Sequence, residues 1–179
     1  MIVLGLDPGA TTGWARVLLE HGKRPKVLDC GTFRAPTARV GGESFAAMLK
    51  KEEPCTVFAI ETLAGIAFPT KGGGIVGSLI AAAKVEERLR CYAERFTHGG
   101  VHDLTAHQWR QALCGKRAAT SHQIADSLSL RVQMPKRTNE HVRDAIGIAV
   151  ALPSCVPSVF GVLVNEKRQK ELDEWNRNV

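Results

Sequence analysis

The sequence predicts a single α/β domain built on a mixed sheet, and three observations carry that expectation. Apolar runs separated by tight turns fill the first third of the chain, as an antiparallel meander requires. Strand-like and helix-like segments alternate after that. The 179 residues are enough for one real core, and 44% hydrophobic with 23% charged residues is ordinary for a globular chain.

The elements follow in order. Ile2-Val3-Leu4 begins a buried strand that runs through Leu6 to Asp7, where Pro8 and Gly9 bend the chain. Gly13 to Leu19 reads as a second strand and Val27 to Phe33 as a third, with the basic turn His21-Gly22-Lys23-Arg24-Pro25 between them. Glu43 to Lys51 is expected to be a short helix, and Thr56 to Ile60 another buried strand ending on Glu61. From Thr62 to Gly74 the chain reads as a long glycine-rich loop with one aromatic, Phe68, and loops of that kind within compact domains are usually functional. A helix from Ile75 to Phe96 and a short strand from Val101 to Leu104 come next. Thr105 is placed to cap a helix ending at Leu113, before the basic turn Cys114-Gly115-Lys116-Arg117. A helix over Ala118 to Leu130 follows. Thr138 or Asn139 then caps one from Glu140 to Leu152, apolar nearly all round from Ala145 onward. Beyond Pro153 we expect a strand from Ser158 to Val164 and a charged helix from Asn165 to Asn176. The domain boundaries are therefore 1–152 for the main domain and 153–179 for an extension appended to it.

Composition narrows the function. The net charge of +6 and a pI near 9.3 favour a polyanionic partner. Five scattered cysteines without a C-x-x-C pair speak against a disulfide framework and a zinc site, and for a reducing cytoplasm. Neither a signal peptide nor a membrane span is expected, because no apolar run approaches the roughly 18 residues a span needs.

The chemistry-bearing residues are Asp7 and Glu61, each at a strand end, and Glu140, His141 and Asp144 in the first turn of the 140–152 helix. His141 and Asp144 are spaced i,i+3 and Glu140 and Asp144 i,i+4, so either pair can share a face. Acidic residues at a helix start also complement the helix dipole, which accounts for Glu140 but not for two strand-terminal acids elsewhere. A set of Asp7, Glu61, His141 and Asp144 offers hard oxygens and an imidazole, suited to Mg²⁺ or Mn²⁺. Two such ions would support phosphodiester hydrolysis.

From Ile2 to about Leu152 the chain resembles the RuvC family of Holliday-junction resolving endonucleases, which have an RNase H-like fold. The motifs that carry the resemblance are GLDPGATTGWA, FAIET, DLTAHQWRQALCGKRAATSHQIADSL and NEHVRDAIGIAVAL. It implies a mixed five-stranded sheet flanked by helices, a homodimer, and cleavage of branched DNA with two divalent ions per site. By position the family's catalytic, metal-binding residues fall on Asp7, Glu61, His141 and Asp144. The family's DNA-contacting basic residue falls on Arg110, while a second family lysine falls on Ser121, with Lys116 and Arg117 near enough to supply the charge. The wedge residue of the loop after the catalytic Glu falls on Phe68, beside Lys71. The extension beyond Pro153 has no counterpart, and Lys167, Arg168 and Lys170 on it suit a solvated helix better than a DNA contact.

Three other readings stand beside this one. An RNase H-like nuclease acting on forks or flaps fits the Ser121 departure and the extension. An actin-like ATPase or sugar-kinase domain would share the Asp-x-Gly and Thr-Thr-Gly turn, but the chain lacks the second phosphate motif and the length. A catalytically idle scaffold would have lost a ligand, and none is lost. Trp109 is expected to be core.

Overall fold

The computed structural model describes residues 1–34, 57–63, 73–96 and 99–158. The expected 43–51 helix, most of the glycine-rich loop with Phe68 and Lys71, and the expected elements from Ser158 onward lie outside the described residues.

Five strands form one sheet: β1 (Ile2–Asp7), β2 (Thr11–Leu18), β3 (Lys26–Arg34), β4 (Val57–Thr62) and β5 (Val101–Thr105), in the order β3-β2-β1-β4-β5. The meander is antiparallel as expected, and β4 and β5 run parallel to β1. The helices are α1 (Gly73–Phe96), α2 (Ala106–Cys114), α3 (Ser121–Arg131) and α4 (Glu140–Cys155).

Strand alternation divides the core in two. Leu4, Leu6, Phe58 and Ile60 point to one face and bury against Val85, Leu89 and Ala93, which recur every four residues along α1. Val3, Ala15, Val17, Val57 and Ala59 point to the other and meet α2, α3 and α4. By the same period of two, Asp7 and Glu61 belong to the second face. The β1–β4 register pairs Gly5 with Ala59 and Leu6 with Ile60, so the next step along both strands sets Asp7 beside Glu61.

α4 lies directly on this face because two glycines leave room for its backbone. A Cβ on Gly5 would fall 2.0 Å from the Ala145 carbonyl oxygen, and one on Gly13 the same distance from that of His141. Gly13 pairs with Asp7 across β1 and β2, so the close approach puts His141 over the end of β1.

Local capping sets the other helix starts. Thr105 caps α2 as expected, in a capping box with Gln108. Asn139 rather than Thr138 caps α4, its side chain accepting from the Val142 amide. Several expected boundaries shift by a few residues, β2 starting at Thr11 and the long helix at Gly73 among them, and two have a visible local cause. The helix expected from Ala118 begins at Ser121, because Thr120 accepts from the Gln123 amide and so holds the chain extended just before it. α4 continues past Leu152 through Pro153 to Cys155, and the Val156 amide closes it on the Leu152 carbonyl. A proline in a last turn removes one bond without ending the helix there.

Gly13→Ala should be less stable than the wild type by about 1–3 kcal/mol, the usual cost of forcing extra volume into a packed contact. Urea unfolding of the two proteins measures it, and equal midpoints would mean that α4 does not rest on that glycine.

Candidate active site

Three buried or half-buried acids meet at the carboxyl ends of β1 and β4 and the first turn of α4, and each has its own partner. Asp7 Oδ2 lies 3.0 Å from His141 Nδ1. Glu61 Oε2 accepts a 2.7 Å hydrogen bond from the Trp109 indole Nε1. Asp144 Oδ2 is 3.9 Å from a terminal nitrogen of Arg110, whose guanidinium carbon stands 5.1 Å from the centre of the Trp109 ring. Trp109 and Arg110 are neighbours on α2. Successive helical residues diverge by about 100°, so one turn of helix serves two acids.

The electrostatics follow from burial among like charges. Burial raises the Glu61 pKa to about 7; the Trp109 hydrogen bond and Arg110 oppose this, while the charges of Asp7 and Asp144 add to it. Asp144 is pushed up to about 6 by burial and by Asp7, against the pull of Arg110. Burial also raises Asp7, although His141 and Arg110 hold it back. All three therefore favour any cation that can neutralise them, a proton included.

The chain just past Glu61 is fixed from the opposite face of the sheet. Glu86 of α1, only 9% exposed, accepts from the Thr62 hydroxyl at 2.7 Å and from the Leu63 amide at 3.1 Å. Arg90 bridges Glu86 to Asp103 on β5. Every oxygen of the buried carboxylate is thus used, as a buried charge requires.

The structure brings the four expected ligands to one end of the sheet, with Asp7 and His141 in contact. Among the described residues, no three His, Cys, Asp or Glu side chains form a ready-made cation shell. The Glu140 carboxylate accepts from the Ser121 hydroxyl of α3, and its charge still raises Asp7 and Asp144. Arg110, expected on the DNA surface, is aimed into the site at Asp144. Lys116 and Arg117 are exposed in the turn between α2 and α3. Sequence reasoning placed Trp109 in the core, where it is fully buried, but missed its bond to Glu61. The available signal was that a buried indole N–H needs an acceptor. The cysteines among the described residues are free, and no helix there is long and apolar enough to cross a membrane.

A mixed five-stranded sheet with paired acids at the ends of its two central parallel strands defines the RNase H-like class. Comparison with known proteins narrows it. The chain is 26% identical to the crossover junction endodeoxyribonuclease RuvC of Pelodictyon phaeoclathratiforme over 160 residues, spanning 84% of this chain and 78% of the relative. The structure of Thermus thermophilus RuvC in complex with a Holliday junction substrate matches with a TM-score of 0.61 at 18% identity, covering 84% of this chain and 92% of that one. The yeast mitochondrial Holliday junction resolvase Ydc2 matches with a TM-score of 0.58 at 9% identity, covering 93% and 85%. No protein-family model matches the chain. The chain has the RNase H-like fold and is similar to RuvC proteins.

The raised carboxylates carry a stability cost with a definite pH dependence. Glu61 holds its proton more tightly when folded (about 7) than at its ordinary 4.5, so the folded protein loses stability as pH rises through that window. In chelator, Glu61→Gln should therefore gain stability over the wild type at pH 8, and the gain should shrink as pH falls from 7 toward 4.5. Urea midpoints at pH 5 and pH 8 read this out, and a gap that does not change with pH would contradict it.

Proposed function

We propose that this chain is a divalent-metal-dependent endonuclease that nicks branched DNA and resolves four-way junctions. The observation that carries the reading is the pair Asp7 and Glu61, side by side at the ends of adjacent parallel strands beneath the His141–Asp144 turn of α4. RuvC-type resolvases depend on divalent metal, and the donor chemistry fits it. Three carboxylates with raised proton affinity and one imidazole favour a hard or borderline cation.

Asp7, Glu61, His141 and Asp144 would hold the metal, for which we propose two Mg²⁺ or Mn²⁺ ions. At such a donor set bound divalent ions supply activation of water and stabilisation of the leaving oxygen in phosphodiester hydrolysis. The protein's own contribution is placement. β1 and β4 hold two acids in register, and α4 adds a third and an imidazole. His141, its Nδ1 facing Asp7, keeps Nε2 for a ligand role, the arrangement in which a carboxylate orients a metal-binding histidine. Arg110 offsets the negative charge beside Asp144 and is a cation for a DNA phosphate. Lys116 and Arg117 contact phosphates farther along, and Phe68 with Lys71 act at the branch point.

The working unit is a homodimer in the cytoplasm, which presents one site to each of two junction strands. The nuclease domain is 1–152 and the extension 153–179. One observation favours a second reading, in which forks or flaps are the substrate. At the position where the family has a DNA-contacting lysine, Ser121 binds Glu140 instead, which removes a charge that would grip the junction. Nicking rates on junction, fork, flap and duplex substrates of matched sequence decide between the two.

Asp7→Asn should bind junctions as well as the wild type but lose nicking by more than the roughly 10- to 100-fold typical of losing an outer-shell partner. Gel-shift and cleavage assays on one four-way junction test this, and wild-type nicking by the variant would sink the metal-site assignment. The double variant Lys116→Ala/Arg117→Ala should lower the slope of log K against log salt by about two. An unchanged slope would take that turn out of the interface.

A further inference from the structure

Trp109 does more than fill the core. Its indole is fully buried, and its Nε1 donates to Glu61 Oε2 at 2.7 Å, the short end of the range for charged acceptors. The ring is held on two sides. Arg110 lies over one face, and Gly147 of α4 leaves the space the ring occupies, since a Cβ there would come within 2.9 Å of Trp109 Cζ3 and 3.2 Å of Leu113 Cδ2. Gly147 stands three residues after Asp144, so the helix that brings one acid also makes room for the side chain that grips another.

We propose that Trp109 is a positioning residue for the metal centre: its N–H occupies Oε2 and so fixes the Glu61 carboxylate, leaving Oε1 as its remaining ligand oxygen. This rests on the reading of Glu61 as a ligand. An indole suits the task because it is a donor only and so cannot compete for the cation. A glutamate side chain left free has three torsions to order when metal arrives, and a locked one has none. The bond spans 48 residues of sequence and ties α2 to the end of β4. A tryptophan serving only to fill space would leave the response to metal unchanged when its donor is removed.

The test compares the wild type, Trp109→Phe and Glu61→Gln. Trp109→Phe keeps an aromatic ring in the cavity and removes the donor. It should bind junction DNA normally, yet need about 10- to 100-fold more Mn²⁺ for half-maximal nicking, as expected when a ligand loses its outer-shell partner. A second readout is independent of activity. In ¹⁵N-labelled protein the Trp109 indole N–H resonance should move in Glu61→Gln and should move saturably as Mg²⁺ is added to the wild type. An indole resonance indifferent to both changes overturns the proposal even if Trp109→Phe does not fold. Wild-type Mn²⁺ dependence in Trp109→Phe, with Glu61→Gln inactive, overturns the proposal alone. Wild-type nicking by Glu61→Gln instead overturns the ligand reading on which it stands.

Discussion

The contact between the backbone of α4 and the two glycines beneath it governs the rest of the molecule. Helices ordinarily rest on sheets through interleaved side chains, some 10 Å away from the strands. Here Gly5 and Gly13 carry nothing that would hold α4 off, and the carbonyls of Ala145 and His141 occupy the space a methyl group would fill. That proximity lets a short side chain at the end of β1 reach a short side chain in the first turn of α4. Asp7 and His141 touch for this reason, and the apolar remainder of α4, from Ala145 to Leu152, is buried along the same line apart from the half-buried Val150.

Bringing acids together has an electrostatic cost that the fold answers with three separate donors. His141, Trp109 and Arg110 each attend one carboxylate, and together they do not offset burial and mutual repulsion, since all three acids keep raised proton affinities. A cluster stabilised completely by its own protein would have little affinity left for a cation. One left wholly unpaired would weaken the fold. The site stands between these limits, and the residual strain falls where binding can relieve it.

The strand that carries Glu61 is held on both faces of the sheet. On one, Trp109 fixes the carboxylate itself; on the other, Glu86 takes the Thr62 hydroxyl and the Leu63 amide while Arg90 ties it to Asp103. Alternation along β4 makes this division unavoidable, since Glu61 and Thr62 must point opposite ways. The chain at Leu63 is therefore held firmly from both sides of the sheet.

Local regularities made much of this legible without coordinates. Apolar runs bounded by turns announced the five strands, the turn after Asp7 marked a strand-terminal acid, and Thr105 and the pair Thr138 or Asn139 announced two helix starts, because each of these depends on neighbours a few residues away. The likeness to RuvC proteins, borne out by the comparisons, rested on motifs of the same local kind. What the tertiary structure alone decided is which donor meets which acid. Trp109 and Glu61 are 48 residues apart and His141 and Asp7 134, and no local pattern encodes such distances. The first turn of α4 shows the limit best. Glu140 and His141 are both polar and both at the helix start, so sequence left the ligand role open between them. Packing separates their directions, because Ser121 of α3 takes Glu140 while the seat over Gly13 turns His141 toward Asp7.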